Sequence, residues 1–486
     1  MYSPLESVTE SVKDPVIESV TGPVTESVIE SVTGSVSRTV TESATGPFIG
    51  PVLRIAPLRD KKTICDYIKM LPQIAGDGFK IIDFFPPYHG GIEYGGLDTI
   101  DFYNTRPDAG SLSDMREFIG EAHNLGVSVV AFINMGYCAA GHPDFIKACE
   151  DVRNQVQSRE RGLFLWAGAP YLMEGPLSPF FLQDKGGESG EWVFSEAAGK
   201  YFWCKWFGVK GDVRLPQYWF GGGPWQLECA KIIRFWADVG FDGFIVDAVN
   251  WYTDCDWRIN ASAIVGPARE RRRLFLQPEG AGGFADDPVP WITQGGYDCV
   301  QDYSLELWWE GVDRIAECLQ KQDATPLWPV IEGYRNRVVD AGGVTYMGLG
   351  QGGGLKTPGE ELVFKTALLI AIGEMLNFDL SDWGQIAGAA LTPMFNMQNS
   401  IPALSPYGKR THIEAPANPE IFILKCMDNS NDFNKFVTAV FNFGVDEYVY
   451  ASGDRQIPVA PRGFCFLDSD GAVIARLAGG GAEFPG

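Results

Sequence analysis

Beyond about residue 49, short apolar runs alternate with longer segments in which apolar residues recur at helical spacing. Two of the helical segments are Ser113–Asn124 and Trp225–Val239. Apolar runs interleaved with helices predict a parallel sheet whose two faces are both covered. The runs that we predict as strands are Val52–Pro57, Phe79–Phe85, Val127–Asn134, Phe241–Val249, Leu274–Glu279, Tyr297–Tyr303, Pro329–Glu332 and Met375–Phe378.

The number of these runs predicts how the sheet closes. Eight strands and their helices, spread over about 350 residues, are typical of a (β/α)8 TIM barrel. A doubly wound open sheet is the alternative fold. No GxGxxG motif follows the first run, and this argues against a dinucleotide-binding fold.

The pattern changes after about residue 395, where short β-like runs follow one another without a long helix. These runs are Ile421–Lys425, Phe436–Asn442, Glu447–Ala451 and Gly463–Leu467. They predict a small antiparallel β-domain. We therefore expect a tail over 1–48, a barrel over 49–395 and a β-domain over 396–486. Within the barrel, an excursion at about 138–200 follows the third strand.

The first 47 residues form a repeat in which Val recurs every four positions from Val8 to Val40. Ser, Thr, Glu, Pro and Gly make up most of the other positions, and a longer unit recurs every twelve residues. Valine alone offers little apolar area to offset the entropy of ordering, which predicts a flexible tail. The alternative is a helical Val stripe that mediates self-association, although Pro15 and Pro23 disfavour a helix.

Charge and composition exclude several classes of partner. The chain has 39 Lys and Arg against 62 Asp and Glu, a formal net charge of −23. Nucleic acids and anionic membranes both require clustered basic residues, so we expect neither as a partner. This balance suits a soluble protein that binds a small neutral or cationic ligand.

The cysteines and the hydropathy pattern bear on the compartment. The 10 Cys are scattered without a CxxC pair, so we expect free buried thiols in a reducing environment. No run of 18 apolar residues predicts a membrane span, and no basic and apolar leader opens the sequence. We expect a cytoplasmic protein.

Three carboxylates close predicted strands, namely Asp247, Glu279 and Glu332. The active residues of a TIM barrel lie at the carboxyl ends of its strands, where these three side chains would converge. Glycoside cleavage requires such a set, with one carboxylate as nucleophile and a second as acid and base. A third can stabilise the oxocarbenium-like transition state. Helix caps or ion-pair partners in the loops are the alternative roles for these residues.

Several stretches match the motifs of a known family: 81–88 (IIDFFPPY), 96–103 (GLDTIDFY), 110–115 (GSLSDM), 122–126 (AHNLG), 215–219 (LPQYW) and 235–249 (FWADVGFDGFIVDAV). They resemble strands and loops of the α-amylase superfamily, glycoside hydrolase family 13, over roughly residues 50–480. The last stretch is the most specific match.

The resemblance implies a retaining glycosidase or transglycosidase that acts on α-glucosides through a covalent intermediate. It assigns the nucleophile to Asp247 and the acid/base to Glu279. One register gives Glu332 the third catalytic position, with Arg335 three residues on. A competing register puts Tyr334 there and removes the third carboxylate. Further substrate contacts are expected from Tyr88, Asp98, Asn134, Asn250, Trp251 and Arg335.

The sequence also departs from the family pattern. Ile245 stands where the family has an Arg, two residues before the nucleophile. Met135 replaces the His of an Asn-His pair, Leu97 replaces the aromatic residue that floors the sugar pocket, and the seventh-strand Asn-His-Asp is absent. These differences imply a reshaped pocket.

Two hypotheses of different classes remain. The first is an enzyme that needs no cofactor and transfers a sugar to water or to another sugar; a structural Ca²⁺, common in the superfamily, stays open. The second is a catalytically degenerate amylase-like barrel that binds sugars or serves as a scaffold. A metal-dependent hydrolase is disfavoured because the four His do not group at strand ends.

Overall fold

The structure is a computed structural model. The described residues are 48–169, 191–207, 214–220, 224–249, 264–271, 273–280, 287–307, 312–349, 359–388, 391–413, 418–428, 435–478 and 481–485. The N-terminal repeat lies outside them, so the expected tail and its self-association remain predictions.

Eight parallel strands, labelled β1 to β8 in chain order, form the central sheet. They are Val52–Ile55, Ile81–Phe84, Ser128–Ile133, Gly243–Val246, Phe275–Pro278, Cys299–Gln301, Val344–Leu349 and Met375–Asp379. Ladders join every neighbouring pair from β6 through β8 and β1 to β5. The Asp298 backbone N–H donates a hydrogen bond to the Leu276 carbonyl (2.9 Å), which connects β5 with β6 and closes the barrel. The predicted TIM barrel is confirmed.

One predicted strand is wrong. Pro329–Glu332 is helical, and the seventh strand is instead Val344–Leu349. In the helical segment, Leu327, Ile331 and Arg335 are buried at intervals of four residues, while Glu332 is exposed. A four-residue spacing of buried positions is the period of a helix, and a short apolar run by itself does not distinguish the two.

Helices surround the sheet. The α-helices are Pro57–Asp60, Ile64–Gly76, Leu112–Asn124, Pro143–Arg153, Pro224–Val239, Val289–Thr293, Arg314–Lys321, Leu327–Val330, Arg337–Asp340, Gly359–Ile372, Trp383–Gly388 and Thr392–Ser400. Short 3-10 turns span Arg161–Leu163, Leu380–Asp382 and Pro402–Leu404, and a π-turn spans Ile331–Asn336. Local sequence explains where helices begin: Thr63 with Asp66, and Ser111 with Asp114, each form a capping box.

The barrel interior has an apolar floor and a polar layer above it. Phe48 stacks on Phe275 with ring centroids 5.0 Å apart and covers the amino end. The next layer toward the carboxyl end contains the buried polar residues Arg54, Asp83, Gln277, Gln301 and Asn377. A polar layer in a barrel that could be filled with branched apolar side chains points to a function above it.

The excursion after β3 builds a small antiparallel sheet beside the mouth of the barrel. Its strands are Trp166–Ala167, Glu191–Ser195, Lys200–Phe207 and Arg214–Pro216. Two short hairpins, His89–Gly90 with Thr99–Asp101 and Glu306–Leu307 with Val312–Asp313, follow β2 and β6. These additions lie on the carboxyl side of the strands, where loops carry the function of a TIM barrel.

An antiparallel β-domain follows the barrel, as predicted. Its strands are Lys409–Ile413, Ile421–Met427, Phe436–Asn442, Tyr448–Ser452, Arg455–Val459, Gly463–Leu467, Val473–Ala478 and Gly481–Glu483. Helix Gly359–Ile372 packs between this domain and the barrel, with Phe364 edge-on to Phe441 and Phe443. Within the described residues, no helix combines the length and apolar character of a membrane span.

Candidate active site

Two acidic side chains meet at the carboxyl ends of β4 and β5. The ladder pairs Val246 with Pro278, so Asp247 and Glu279 are the next residues on neighbouring strands. The Glu279 backbone N–H donates to the Val246 carbonyl (2.8 Å), which continues the pairing by one step. A hydrogen bond joins the two carboxyl groups. The predicted convergence of these two residues is therefore observed.

The interaction between the two carboxyl groups affects the pKa of Asp247. Two carboxylates repel each other, so a hydrogen bond between carboxyl groups requires that one of them is protonated. Burial raises the pKa of Asp247 well above its ordinary value, and the adjacent Glu279 raises it further. Asp247 is 6% exposed and Glu279 is half-buried. Such paired carboxyls are a common arrangement for acid and base chemistry at neutral pH.

Donors around the pair act on each carboxyl differently. The Tyr137 hydroxyl donates to Asp247 Oδ2 (3.2 Å), and the Ala248 backbone N–H donates to Glu279 Oε2 (3.2 Å). Ala248 adopts a φ of 43°, in the left-handed region that non-glycine residues rarely use. Backbone strain of this kind is tolerated where the surrounding structure holds a functional side chain in place.

The residue two before Asp247 contributes no charge. Ile245 is buried in the apolar cluster inside the barrel, opposite Phe132 in the β3–β4 ladder. A cation approaches instead from β1, where Arg54 acts to lower the pKa of Asp247. Burial and Glu279 outweigh this effect, so the pKa of Asp247 remains raised.

Asn134 and Tyr88 shape the loops around the site. The Asn134 amide donates to the carbonyls of Leu97 and Tyr137 (both 2.8 Å), and its oxygen accepts from the Gly136 N–H (2.7 Å). The Tyr88 hydroxyl accepts from the Asn134 backbone N–H (3.0 Å). Both were predicted to contact substrate, but these polar groups are engaged in placing Tyr137.

Asp98 also holds a loop. Its carboxylate accepts backbone N–H bonds from Glu93 and Tyr94 (both 3.1 Å), and it is fully buried. Leu97 beside it lies in the inner apolar cluster. The aromatic rings on this side are Tyr94 and Tyr137, packed edge-to-face at 5.8 Å. Asp98, predicted to bind substrate, is thus placed to shape the loop that presents these rings.

Glu332, predicted as the third catalytic residue, is not at a strand end. Because the segment is helical, the side chains buried there are those of Ile331 and Arg335. Glu332 lies exposed on the π-turn Ile331–Asn336. The competing register fails for the same reason. The Tyr334 hydroxyl donates to the Gln301 carbonyl (2.7 Å) from outside the sheet, and Arg337 pairs with Asp287 on the surface.

Arg335, predicted to contact substrate, lies at the other end of the barrel. It is fully buried beside Gly373, just before β8 begins, and donates to the carbonyls of Pro406 and Gly408 (both 2.7 Å). Burial and the neighbouring Arg410 lower the pKa of Arg335 to about 9. Its role is to join the barrel to the segment that leads into the β-domain.

The remaining predicted contacts, Asn250 and Trp251, lie outside the described residues. So does the segment 350–358 that follows β7, whose sequence, GQGGGLKTP, contains no acidic residue. The chain therefore has no third carboxylate directly after its seventh strand. At the end of β8, Asp379 lies inside the barrel, and Arg59 binds it through two hydrogen bonds (3.0 and 3.2 Å).

Among the described residues, no group of three or more His, Cys, Asp or Glu side chains is arranged to hold a metal ion. Ca²⁺ also uses backbone carbonyls, so a structural calcium remains a prediction.

Sequence reasoning missed Tyr137 and Arg54. An Arg inside the otherwise apolar run Val52–Ile55 was a usable signal, because a charged side chain inside a barrel strand is costly unless it is paired. Tyr137 gave no comparable signal. Its position depends on the loop after β3, which Asn134 folds back on itself.

Comparison with known proteins finds a matching family and several relatives of this chain. Residues 64–266 match the family described as alpha amylase, catalytic domain, and the match includes Asp247. A trehalose synthase of Thermus thermophilus is 23% identical over 275 residues, which are 53% of this chain and 26% of the relative. A probable alpha-glucosidase of Rhizobium meliloti is 26% identical over 43% of this chain and 35% of the relative. The chain thus matches about a quarter to a third of these relatives.

Solved structures share the fold over most of the chain. An alpha-amylase from H. orenii superposes with a TM-score of 0.67 at 13% identity, covering 86% of this chain and 99% of that structure. A trehalose-6-phosphate hydrolase of Bacillus licheniformis gives a TM-score of 0.62 at 13% identity, with 85% and 97% covered. At this identity the likeness concerns the fold alone.

Proposed function

Since the chain belongs to the α-amylase superfamily, glycoside hydrolase family 13, we propose that it is a retaining enzyme that acts on α-glucosides through a covalent glycosyl-enzyme intermediate. The observation that carries the proposal is the hydrogen-bonded contact between Asp247 and Glu279 at the carboxyl ends of β4 and β5. The first step requires one protonated and one ionised carboxyl group, and two adjoining carboxyls can divide these roles.

In this step Asp247 attacks the anomeric carbon while Glu279 gives its proton to the departing glycosidic oxygen. The carbon–oxygen bond to the leaving group breaks as the bond to Asp247 forms. Glu279 is then ionised and removes a proton from water or from a second sugar, whose oxygen displaces Asp247. Two displacements at one carbon retain the α configuration.

Local groups oppose the raised pKa of Asp247. The Tyr137 hydroxyl and the Arg54 guanidinium both favour an ionised Asp247. The first step needs an ionised Asp247, so both groups act in the direction that the reaction requires. In the structure the two carboxyls touch, whereas retaining enzymes hold them about 5–5.5 Å apart around the sugar. Substrate entry therefore requires Glu279 to rotate away from Asp247.

The names of the relatives suggest small substrates. Trehalose synthase and alpha-glucosidase recur among them, so we propose a short α-glucoside rather than a long glucan. Incubation with maltose, sucrose, trehalose and longer glucans, followed by mass spectrometry of the products, tests this. Products from the long glucans alone would reject the substrate class without rejecting the mechanism.

The mechanism is tested with Asp247→Asn and Glu279→Gln on 4-nitrophenyl α-glucoside. We expect Asp247→Asn to abolish turnover, and Glu279→Gln to lower it by about 10²–10⁴-fold, the usual contribution of a general acid or base. Glu332→Gln is the matched control, since it makes the same change at an exposed helical position. Wild-type rates in Asp247→Asn would contradict the assignment of the nucleophile.

A second candidate function is a sugar-binding or scaffolding barrel without turnover. The absence of an acidic residue in 350–358 and the apolar Ile245 favour it, because each removes a charge that assists the family's chemistry. The intact Asp247–Glu279 contact favours the enzyme, since a scaffold gains no stability from two buried acids that repel each other. Calorimetric sugar binding with no product from any substrate would select the scaffold.

A further inference from the structure

A buried anion needs a compensating charge, and β4 does not provide one. Asp247 is 6% exposed, and the inward side chain before it on the strand is the apolar Ile245. An ionised carboxylate in such a site is unstable unless donors or a cation support it. Tyr137 supplies a single hydrogen bond. The source of positive charge must lie on another strand.

Arg54 on β1 is a cation inside the barrel. Its guanidinium carbon lies 4.8 Å from the centroid of the Phe132 ring and 5.2 Å from that of Phe85. Its Nε donates to Asp83 Oδ2 (2.6 Å) on β2. With 5% of its surface exposed, it is held between two rings and a carboxylate and has little freedom to move.

This position places the guanidinium against β3, the neighbour of the strand that carries the nucleophile. Phe132, on which Arg54 rests, faces Ile245 in the β3–β4 ladder. The Asp247 backbone N–H donates to the Ile133 carbonyl (2.9 Å), so β3 and β4 remain paired up to the carboxylate. The ring on which the cation rests thus belongs to the residue that pairs with Ile245. In this low-dielectric interior, charge interactions reach farther than in water.

We propose that Arg54 is a positioning residue that favours the ionised form of Asp247, in the place of a cation on β4. The inference rests on the proposed function and deepens it, since it assigns a role that the reaction needs. In agreement with it, Arg54 acts to lower the pKa of Asp247 against the larger opposing effects of burial and Glu279.

The surrounding charges determine how strongly Arg54 acts. Asp247 faces Glu279, Tyr137 and Tyr88, while Arg54 faces Asp83, Asp379 and Tyr346. Two hydrogen bonds from Arg59 occupy Asp379, so Asp83 is the main partner that screens Arg54.

Asp83 itself is poorly satisfied. Its Oδ1 is buried and has no hydrogen-bond partner among the described residues. The same holds for Gln277 Nε2 in this layer. Buried polar atoms without partners destabilise a fold, so this layer is better explained by catalysis than by stability.

The test compares three variants. Arg54→Met with Asp83→Asn removes both charges of the pair and so avoids an unpaired buried carboxylate. Asp83→Asn alone leaves Arg54 in place without its screening partner. Arg54→Lys keeps the charge in a different shape. The readout is the acidic limb of the pH profile of kcat/KM with 4-nitrophenyl α-glucoside, because this limb follows the ionisation of the nucleophile.

The variants are expected to shift the acidic limb of the pH profile in different directions. The double variant should move the acidic limb up by about 1 pH unit, because a nearby cation that favoured the anion is gone. Asp83→Asn should move the limb to lower pH, and Arg54→Lys should retain the wild-type limb. A purely structural Arg54 would lower the rates and leave every limb in place, which would overturn the proposal.

A second readout does not depend on activity. In protein labelled with 13C at the aspartate carboxyls, the Asp247 signal is identified by its loss in Asp247→Asn and is then titrated. The pKa of Asp247 should be higher in the double variant than in Asp83→Asn; equal values would overturn the role of Arg54. Absence of α-glucoside turnover in the wild type would instead refute the proposed function and leave this titration decisive.

Discussion

At the scale of single residues, Tyr137 links the loop after β3 to the chemistry. Its hydroxyl donates to Asp247 Oδ2, and its backbone carbonyl accepts from the Asn134 amide. Asn134 is therefore a support for Tyr137, and its neighbour Met135 is buried, with its carbonyl bound by the Trp225 indole N–H (2.8 Å). Where the family pattern has an Asn-His pair, this chain has Asn134 and Met135, which support the position of the Tyr137 hydroxyl.

Removal of that hydroxyl gives a direct prediction. Tyr137→Phe should lower kcat/KM for an activated α-glucoside by about 10- to 100-fold, the effect of one hydrogen bond to a charged group. The acidic limb should also move to higher pH, because Tyr137 lowers the pKa of Asp247 in the folded protein. Both effects are measured in one set of pH-dependent kinetics.

The matched control is Tyr334→Phe, which removes a hydroxyl that is bound to the Gln301 carbonyl outside the sheet. This variant should leave the acidic limb in place. If Tyr137→Phe and Tyr334→Phe behave alike, the Tyr137 hydroxyl has no specific effect on Asp247.

At the scale of elements, the sequence predicted most strands because their apolar runs end in turn residues. It failed at β7 for a physical reason. Val344–Leu349 contains Thr345 and Gly348, which interrupt the apolar run, whereas Pro329–Glu332 is continuous but helical. Short apolar runs fit either a strand or the buried side of a helix, and tertiary packing decides between them. The misplaced third carboxylate follows from this one error.

A buried lysine fastens another element to the barrel. Lys365 on helix Gly359–Ile372 binds Glu306 (2.5 Å) and Asp313 (2.8 Å), which lie on the two arms of the hairpin after β6. Its side chain is 4% exposed. Loss of the cation would leave two carboxylates facing each other with no positive partner in this cluster.

We therefore expect Lys365→Met to lower the free energy of unfolding by about 3–5 kcal/mol, the usual effect of breaking a buried ion pair. Urea denaturation followed by circular dichroism measures it. Lys321→Met is the matched control, because its pairing with Glu317 is on the surface and is worth less than about 1 kcal/mol. Equal midpoints for the two variants would show that the buried cluster is not stabilising.

At the scale of the whole molecule, the barrel and its β-domain were predictable from the alternation of apolar runs and the change after residue 395. Asp247 and Glu279 were predictable too, because parallel strands bring their carboxyl ends to one edge. Residues whose roles depend on packing were not. Arg335 joins the barrel to the segment before the β-domain, Asp98 holds a loop, and Arg54 acts on Asp247 from β1.

The same scale shows how the proposed chemistry is compatible with charges that differ from the family pattern. A closed barrel brings the interior side chains of all eight strands into one space, so β1 can supply a charge that β4 lacks. Arg54 thus compensates for Ile245 without a change in the fold.

The most direct test of the central claim is to trap the covalent intermediate and locate it. Glu279→Gln is incubated with an activated α-glucosyl fluoride, because this leaving group departs without an acid and water then attacks slowly without a base. Digestion and tandem mass spectrometry should find the mass of one glucosyl residue on the peptide that contains Asp247. A glucosyl group on another residue would contradict the assignment of Asp247 as nucleophile. So would release of fluoride and sugar product without any covalent adduct.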